Sequence, residues 1–195
     1  MQAKSNNFTY VLKIFLPLLL ICAVVAGIIS GLQVMTRDQI AANEAMVEQK
    51  KEEEKLRAIA EIYGEGLSFE KMEKLPEGVD EIRTAVDANG KTLATVTLTV
   101  KGYSTGLQVF VAFGAQGEVR RVMVLASNET TGIGSKVSDP SYLKSYEGQS
   151  GDVVFGKGVD KIAGATISSK GVLGAVNTAT DVLESLGIIE KGGAN

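Results

Sequence analysis

The segment LATVTLTVKGYSTGLQVFVAFGAQGEVRRVMVL, residues 93–125, predicts three β-strands and with them the core of the fold. In residues 93–100, threonines alternate with apolar side chains, namely Ala94, Val96, Leu98 and Val100. This period of two is typical of a strand with one buried face. Residues 107–113 and 118–125 are predicted to form a strand pair joined across residues 114–117. Within it, residues 107–113 and 119–125 are apolar on nearly both faces. We expect this pair to lie at the centre of an antiparallel sheet, with a helix covering one side.

Turn and helix signals flank these strands. Asp87-Ala88-Asn89-Gly90 is a hairpin signal before the first strand. Residues 139–146 suit a short helix, and a last helix is expected to begin at a Ser168 or Ser169 cap and to end at Gly187. Hairpins followed by helices favour an α+β domain, in which an antiparallel sheet is flanked by helices.

A charged helix is predicted ahead of this domain, over residues 36–63, with Gly64 and Gly66 at its end. Within it, the run Lys50-Lys51-Glu52-Glu53-Glu54-Lys55 is interpreted as a solvated face or a stalk. Pro76-Glu77-Gly78 then marks a turn. We therefore interpret residues 37–80 as a helical stalk and linker.

Residues 14–36 contain no charged side chain and predict one transmembrane helix. As a helix they extend roughly 34 Å, enough for a hydrocarbon core of roughly 30 Å. The alternative is a cleaved signal peptide, whose apolar region spans only about 7–15 residues. Lys4 and Lys13 precede the span, whereas Arg37 and Asp38 follow it with alternating sign. The basic flank predicts a cytoplasmic N-terminus and a soluble domain on the outer face of the cell membrane.

The composition of the 195-residue chain excludes several kinds of site. It has no histidine, and its single cysteine, Cys22, lies in the apolar segment. Catalytic triads, Cys/His zinc sites, Cys-ligated iron–sulfur clusters and His-ligated haem are therefore excluded. All 23 acidic residues follow residue 36, but two of the 20 basic ones precede it. An acidic domain lacks the basic footprint of nucleic-acid binding, and any redox work requires an organic cofactor.

The stretch Asp160-Lys161-Ile162-Ala163-Gly164-Ala165-Thr166-Ile167-Ser168-Ser169 carries the chemistry. It places the Thr166 hydroxyl on a turn of small residues immediately before a predicted helix. Gly164 and Ala165 allow a bulky group to approach the backbone. The N–H groups at the helix start favour a phosphate. Taken alone, the stretch is more simply interpreted as a helix start with Ser/Thr capping.

The same stretch resembles the flavinylation motif of the FMN-binding domain family. The resemblance implies that Thr166 is joined to one FMN by a phosphoester, made by a flavin transferase outside the cytoplasm. Gly164, Ala165, Ile167, Ser168 and Ser169 would surround the phosphate. Ala163 stands where the family often has a hydroxyl residue.

A second stretch, Asn128-Glu129-Thr130-Thr131-Gly132-Ile133-Gly134, is similar to the family's Glu-Thr-x-Gly-x-Gly element. The resemblance implies that this element lies against the flavin, with Glu129 and Thr130 bonding its polar edge. Gly132 and Gly134 would supply positive φ and close approach. Tyr103, in a Gly-Tyr segment, is interpreted as core or rim of that site. Tyr142 and Tyr146 are interpreted as packing residues.

Members of this family with one N-terminal span are the G subunits of Rnf electron-transport complexes and the C subunits of sodium-pumping NADH:quinone oxidoreductases. The short chain favours the Rnf type. The resemblance then implies an electron relay, without acid–base catalysis of its own, in a complex that couples ferredoxin:NAD electron transfer to ion translocation. Its partners would be other integral-membrane and iron–sulfur subunits. The transported ion, the neighbouring carriers and the direction of electron flow stay open.

Two further alternatives remain open: a cofactor-free membrane-tethered binding module and a free-standing flavoprotein reductase. The chain is predicted to divide into a cytoplasmic N-terminus (1–13), a transmembrane helix (14–36), a helical stalk and linker (37–80) and an FMN-binding domain (81–190).

Overall fold

A computed structural model describes residues 4–189 of the chain, and side chains over residues 13–189. The predicted segments at residues 1–3 and 190 thus lie outside the described residues. The chain forms two compact units, Met1–Lys50 and Lys51–Asn195. The domain boundaries predicted from the sequence stay predictions.

The N-terminal helix α1 extends over Lys4–Tyr63 and includes Pro17. Among the described residues, it is the one helix that length and composition make able to cross a membrane. It ends where predicted, because Gly64 and Gly66 adopt φ values of 85° and 104°, which glycine tolerates best.

The second unit contains a five-stranded antiparallel sheet in the order β1-β2-β3-β4-β5. Its strands are β1 (Glu70–Lys71), β2 (Glu81–Val86), β3 (Thr92–Val100), β4 (Leu107–Phe113) and β5 (Val119–Ala126). The α+β class and the three predicted strands are confirmed. The prediction that the last two strands are both central is wrong for β5, which ends the sheet.

Helices cover both faces of this sheet, not one. On one face, Val96, Leu98 and Val109 share a core with the last helix, α3 (Thr166–Ser185). On the other face, Phe110 and Ala112 of β4 pack with residues near the end of α1, including Ala58, Ile59 and Tyr63. Two covered faces explain why β4 is apolar at nearly every position.

The charge run of α1 is not a fully solvated face. Lys55 is only 5% exposed, and its Nζ lies 3.1 Å from Oε1 of Glu81 and 2.9 Å from Oε2 of Glu52. Arg83 bonds both of these carboxylates, and Lys71 joins Glu81 at 2.8 Å. The stalk interpretation is therefore wrong for Glu52 and Lys55, which tie the end of α1 to β2.

A compact segment follows β5 and confirms the predicted short helix. It contains a 3₁₀ turn (Gly134–Ser138), α2 (Pro140–Leu143) and a second 3₁₀ turn (Lys144–Tyr146). Asp139 caps α2, and its hydrogen bonds from Ser141 hold the pKa of Asp139 below its ordinary value. Tyr146 is fully buried and its hydroxyl lies 2.9 Å from that of Tyr142, so both tyrosines pack as predicted.

Candidate functional site

The last helix begins three or four residues earlier than predicted, because its N-cap lies before Ser168 and Ser169. Thr166 is its first residue, and the N-cap position belongs to Ala165, which makes no side-chain capping bond. Neither Ser168 nor Ser169 is the cap, because both are buried with their hydroxyls engaged elsewhere. The Ser168 hydroxyl donates to Glu129, and the Ser169 hydroxyl accepts from the N–H of Ile162. Gly187 follows the helix at φ 67°, which confirms the predicted end.

Thr166 lines a pocket of about 510 Å³. The full lining consists of Tyr103, Glu129, Thr130, Ile133, Gly134, Gly164, Ala165, Thr166, Ile167 and Ser168. The structure thus brings most of the predicted site residues together, although they come from segments far apart in sequence. Gly132 and Ser169 are the two predicted residues that do not line this pocket.

Glu129 is buried in the pocket wall, with 7% of its surface exposed. Its Oε1 accepts a hydrogen bond of 3.1 Å from the N–H of Ser104. Its Oε2 accepts one of 2.5 Å from the hydroxyl of Ser168. Both carboxylate oxygens are therefore engaged by the protein itself.

The two glycines of this loop are present for different reasons. Gly132 adopts φ 80°, as predicted, with open space around it. Gly134 does not have a positive φ, so that part of the prediction is wrong. A Cβ at Gly134 would lie 2.7 Å from Oε2 of Glu129 and 3.1 Å from Oγ of Ser168. Gly134 is required by the close approach of these side chains.

We expect Gly134→Ala to destabilise the domain by about 1–3 kcal/mol, because the added methyl group overfills this contact. The matched control is Gly174→Ala in α3, where a Cβ meets nothing within 4 Å. That change should be neutral or stabilising by up to about 1 kcal/mol. Urea unfolding of both variants measures the difference, and equal stabilities would contradict the packing role of Gly134.

Apolar side chains concentrate at the rim of the pocket. Tyr103 is 66% exposed, Ile133 52% and Ile167 54%. Tyr103 agrees with its interpretation as a rim residue. Ile133 was not predicted as a site residue; its signal was an apolar side chain between two glycines in an otherwise polar loop.

The residues fit a phosphate-bearing aromatic ligand. The pocket volume lies in the usual range for small-molecule sites, about 300–1,000 Å³, and most of its exposed wall is apolar. The first turn of α3 adds N–H groups that precede its first helical hydrogen bond, from Ser169 N–H to the Ala165 carbonyl. These groups and the helix dipole favour an anion beside Thr166.

Residues 102–181 match the FMN-binding domain family. The resemblance seen in the sequence is therefore confirmed, and the matched segment contains the whole pocket lining.

Three curated relatives are G subunits. The G subunit of the Na⁺-translocating ferredoxin:NAD⁺ oxidoreductase complex of Acetobacterium woodii is 32% identical over 127 residues, covering 59% of this chain and 60% of the relative. The G subunit of the ion-translocating oxidoreductase complex of Shewanella loihica is 34% identical, covering 51% and 54%. The G subunit of the proton-translocating ferredoxin:NAD⁺ oxidoreductase complex of Clostridium ljungdahlii is 29% identical, covering 50% and 57%. The chain thus spans a little over half the length of the curated relatives it matches.

Two solved structures are also similar. NqrC of Shewanella oneidensis is 26% identical, with a TM-score of 0.43 and coverage of 52% of this chain and 55% of NqrC. The C subunit of the Na⁺-translocating NADH-quinone reductase of Parabacteroides distasonis is 19% identical, with a TM-score of 0.43 and coverage of 58% and 64%.

Proposed function

We propose that this chain is a membrane-anchored electron-relay subunit of an ion-translocating ferredoxin:NAD oxidoreductase complex, with one FMN esterified to Thr166. The observation that carries the proposal is the position of Thr166. This residue opens α3 on the wall of a pocket that lies within the segment matching the FMN-binding domain family.

The start of α3 supports a phosphate at Thr166. The N-cap of the helix makes no side-chain bond, so within the described part of the chain no capping carboxylate or hydroxyl competes for the N–H groups of its first turn. Thr166 itself is exposed, which a transferase requires. The ester forms between the Thr166 oxygen and the phosphorus of FMN with net loss of one water, so a single bond joins chain and cofactor.

The pocket supports a planar ring next to that phosphate. Tyr103, Ile133 and Ile167 supply apolar surface at its rim. The lining residues Gly164 and Ala165 have small or no side chains, and Thr130 supplies an exposed hydroxyl. When bound, FMN accepts electrons in pairs and releases them singly. The protein's part is to hold the ring and to keep water from it.

The proposal also includes a membrane anchor, formed by the apolar part of α1, and partner subunits in the same complex. The apolar part of α1 is long enough to span the bilayer, and the basic residues before it favour a cytoplasmic N-terminus. The FMN domain then lies on the outer face, where the transferase acts. The relatives are named as subunits of ion-translocating oxidoreductase complexes, which supports other subunits of such a complex as partners. We infer from the family resemblance that these are integral-membrane and iron–sulfur subunits.

Mass spectrometry of the full chain, measured intact and after digestion into peptides, tests the covalent flavin. From a host that has a flavin transferase, the peptide with Thr166 should gain the mass of FMN minus water. The same chain from a host without the transferase is the control and should show the unmodified mass. An unmodified peptide from both hosts would refute the ester.

Co-purification tests the relay role separately. The Rnf-type proposal predicts that the tagged chain brings several integral-membrane subunits with it from its own membranes. Purification as an active, isolated flavoprotein would instead support a free-standing reductase.

A further inference from the structure

Glu129 connects three segments that form the pocket. It belongs to the loop between β5 and the first 3₁₀ turn, and this loop contributes Thr130 and Ile133 to the lining. Its Oε1 bonds the turn between β3 and β4 at Ser104, next to Tyr103. Its Oε2 bonds α3 at Ser168, two residues from Thr166.

The backbone leaves space for this carboxylate on two sides. A Cβ at Gly102 would collide with Oε1 of Glu129, and a Cβ at Gly134 would collide with Oε2. At Gly171 of α3, a Cβ would lie 3.1 Å from the Lys101 carbonyl oxygen and 3.2 Å from Cα of Gly102. The three segments therefore close around Glu129 at van der Waals distance, with glycine wherever a side chain would separate them.

Among the described residues, neutral donors hold the buried carboxylate of Glu129, and burying a charged group without a cationic partner costs free energy. Both bonds described above come from neutral groups, a backbone N–H and a hydroxyl. Apolar side chains of similar volume commonly serve as well or better for stability alone. A carboxylate offers two acceptors at a fixed angle, so it can fix two segments relative to a third.

We propose that Glu129 is a positioning residue. Its carboxylate holds three segments in the arrangement that forms the pocket: the β3–β4 turn with Tyr103, the loop after β5 with Ile133, and the start of α3. The inference rests on the proposed function only where it concerns flavin. Glu129 keeps the walls in place, and the ring contacts come from the side chains it positions.

Hydrogen exchange on the full chain without flavin tests this proposal first. In Glu129→Ala, the N–H groups of Ser135, Ala165 and Ser169 should exchange at least about tenfold faster than in the wild type. The reason is that the hydrogen bonds of Glu129 to Ser104 and Ser168 are both lost. These groups bond backbone carbonyls and not Glu129, so their exchange reports the order of the pocket segments.

The matched control is Leu183→Ala, a buried residue at the far end of α3, which destabilises the domain without touching the pocket. Glu129→Gln should restore slow exchange, because its amide can accept from Ser104 and donate to Ser168. Ser168→Ala, which removes one tie, should give an intermediate rate. Exchange in Glu129→Ala no faster than in Leu183→Ala, or no rescue by glutamine, would overturn the proposal.

Iodide quenching on the flavin-bearing chain adds a second readout. Glu129→Ala should increase the constant for iodide quenching of the flavin fluorescence several-fold, whereas Leu183→Ala should leave this constant at the wild-type value. An unchanged constant in Glu129→Ala would also count against the positioning role. Absence of flavin on the wild-type chain would refute the proposed function alone, since the exchange experiment does not depend on it.

Discussion

Replacing Thr166 with alanine should abolish covalent flavin and leave the domain folded. The change removes the oxygen through which the proposed ester forms. Thr166 is exposed and makes no capping bond, so its loss should change the free energy of unfolding by no more than about 0.5 kcal/mol. Flavin fluorescence of the denatured chain on a gel, together with intact mass, measures the effect.

Two other threonines make this prediction specific. Thr130 is an exposed hydroxyl residue in the same pocket lining, and Thr178 is an exposed threonine in α3 outside the pocket. Thr130→Ala and Thr178→Ala should both retain covalent flavin. Fluorescence that survives denaturation in Thr166→Ala, or that disappears in Thr130→Ala, would place the ester elsewhere.

Replacing Glu81 with glutamine should destabilise the domain by about 3 kcal/mol near neutral pH. Burial raises the pKa of Glu81, but hydrogen bonds from Arg83, Lys71 and Lys55 outweigh it and lower the pKa from 4.5 to about 2. Without this carboxylate, Glu52 is the one acidic residue in the described part of the chain that still pairs with both Lys55 and Arg83.

The effect of Glu81 should depend on pH in a defined direction. Since its pKa is lower in the folded chain, its stabilisation is complete above about pH 4.5 and is lost as pH falls toward 2. Glu81→Gln should therefore differ most from wild type at about pH 7 and much less below about pH 3. Urea unfolding followed by circular dichroism measures this.

The matched control for this prediction is Glu77→Gln, which neutralises an exposed glutamate in the preceding turn. It should change stability by no more than about 0.5 kcal/mol at any pH. A Glu81→Gln variant as stable as this control, or one with the wild-type dependence on pH, would show that the charge network contributes nothing.

The sequence by itself determined the features that depend on neighbours along the chain. The alternation in residues 93–100 and the Asp87–Gly90 turn predicted β3 and its hairpin, and Gly64 and Gly187 ended their helices where expected. The motif around Thr166 indicated a helix near this hydroxyl for the same reason, although the predicted cap at Ser168 or Ser169 was wrong.

Only the tertiary structure decided what depends on contacts between distant segments. Local periodicity reports whether a face is buried but not what covers it, so α1 on the second face of the sheet and the edge position of β5 were not predictable. Lys55 pairs with a residue 26 positions away, and Ser168 bonds Glu129 across 39 positions. The sequence of a charge run or of a capping residue is the same whether or not the fold gives it a distant partner. Packing of the whole domain decides which partner lies within reach.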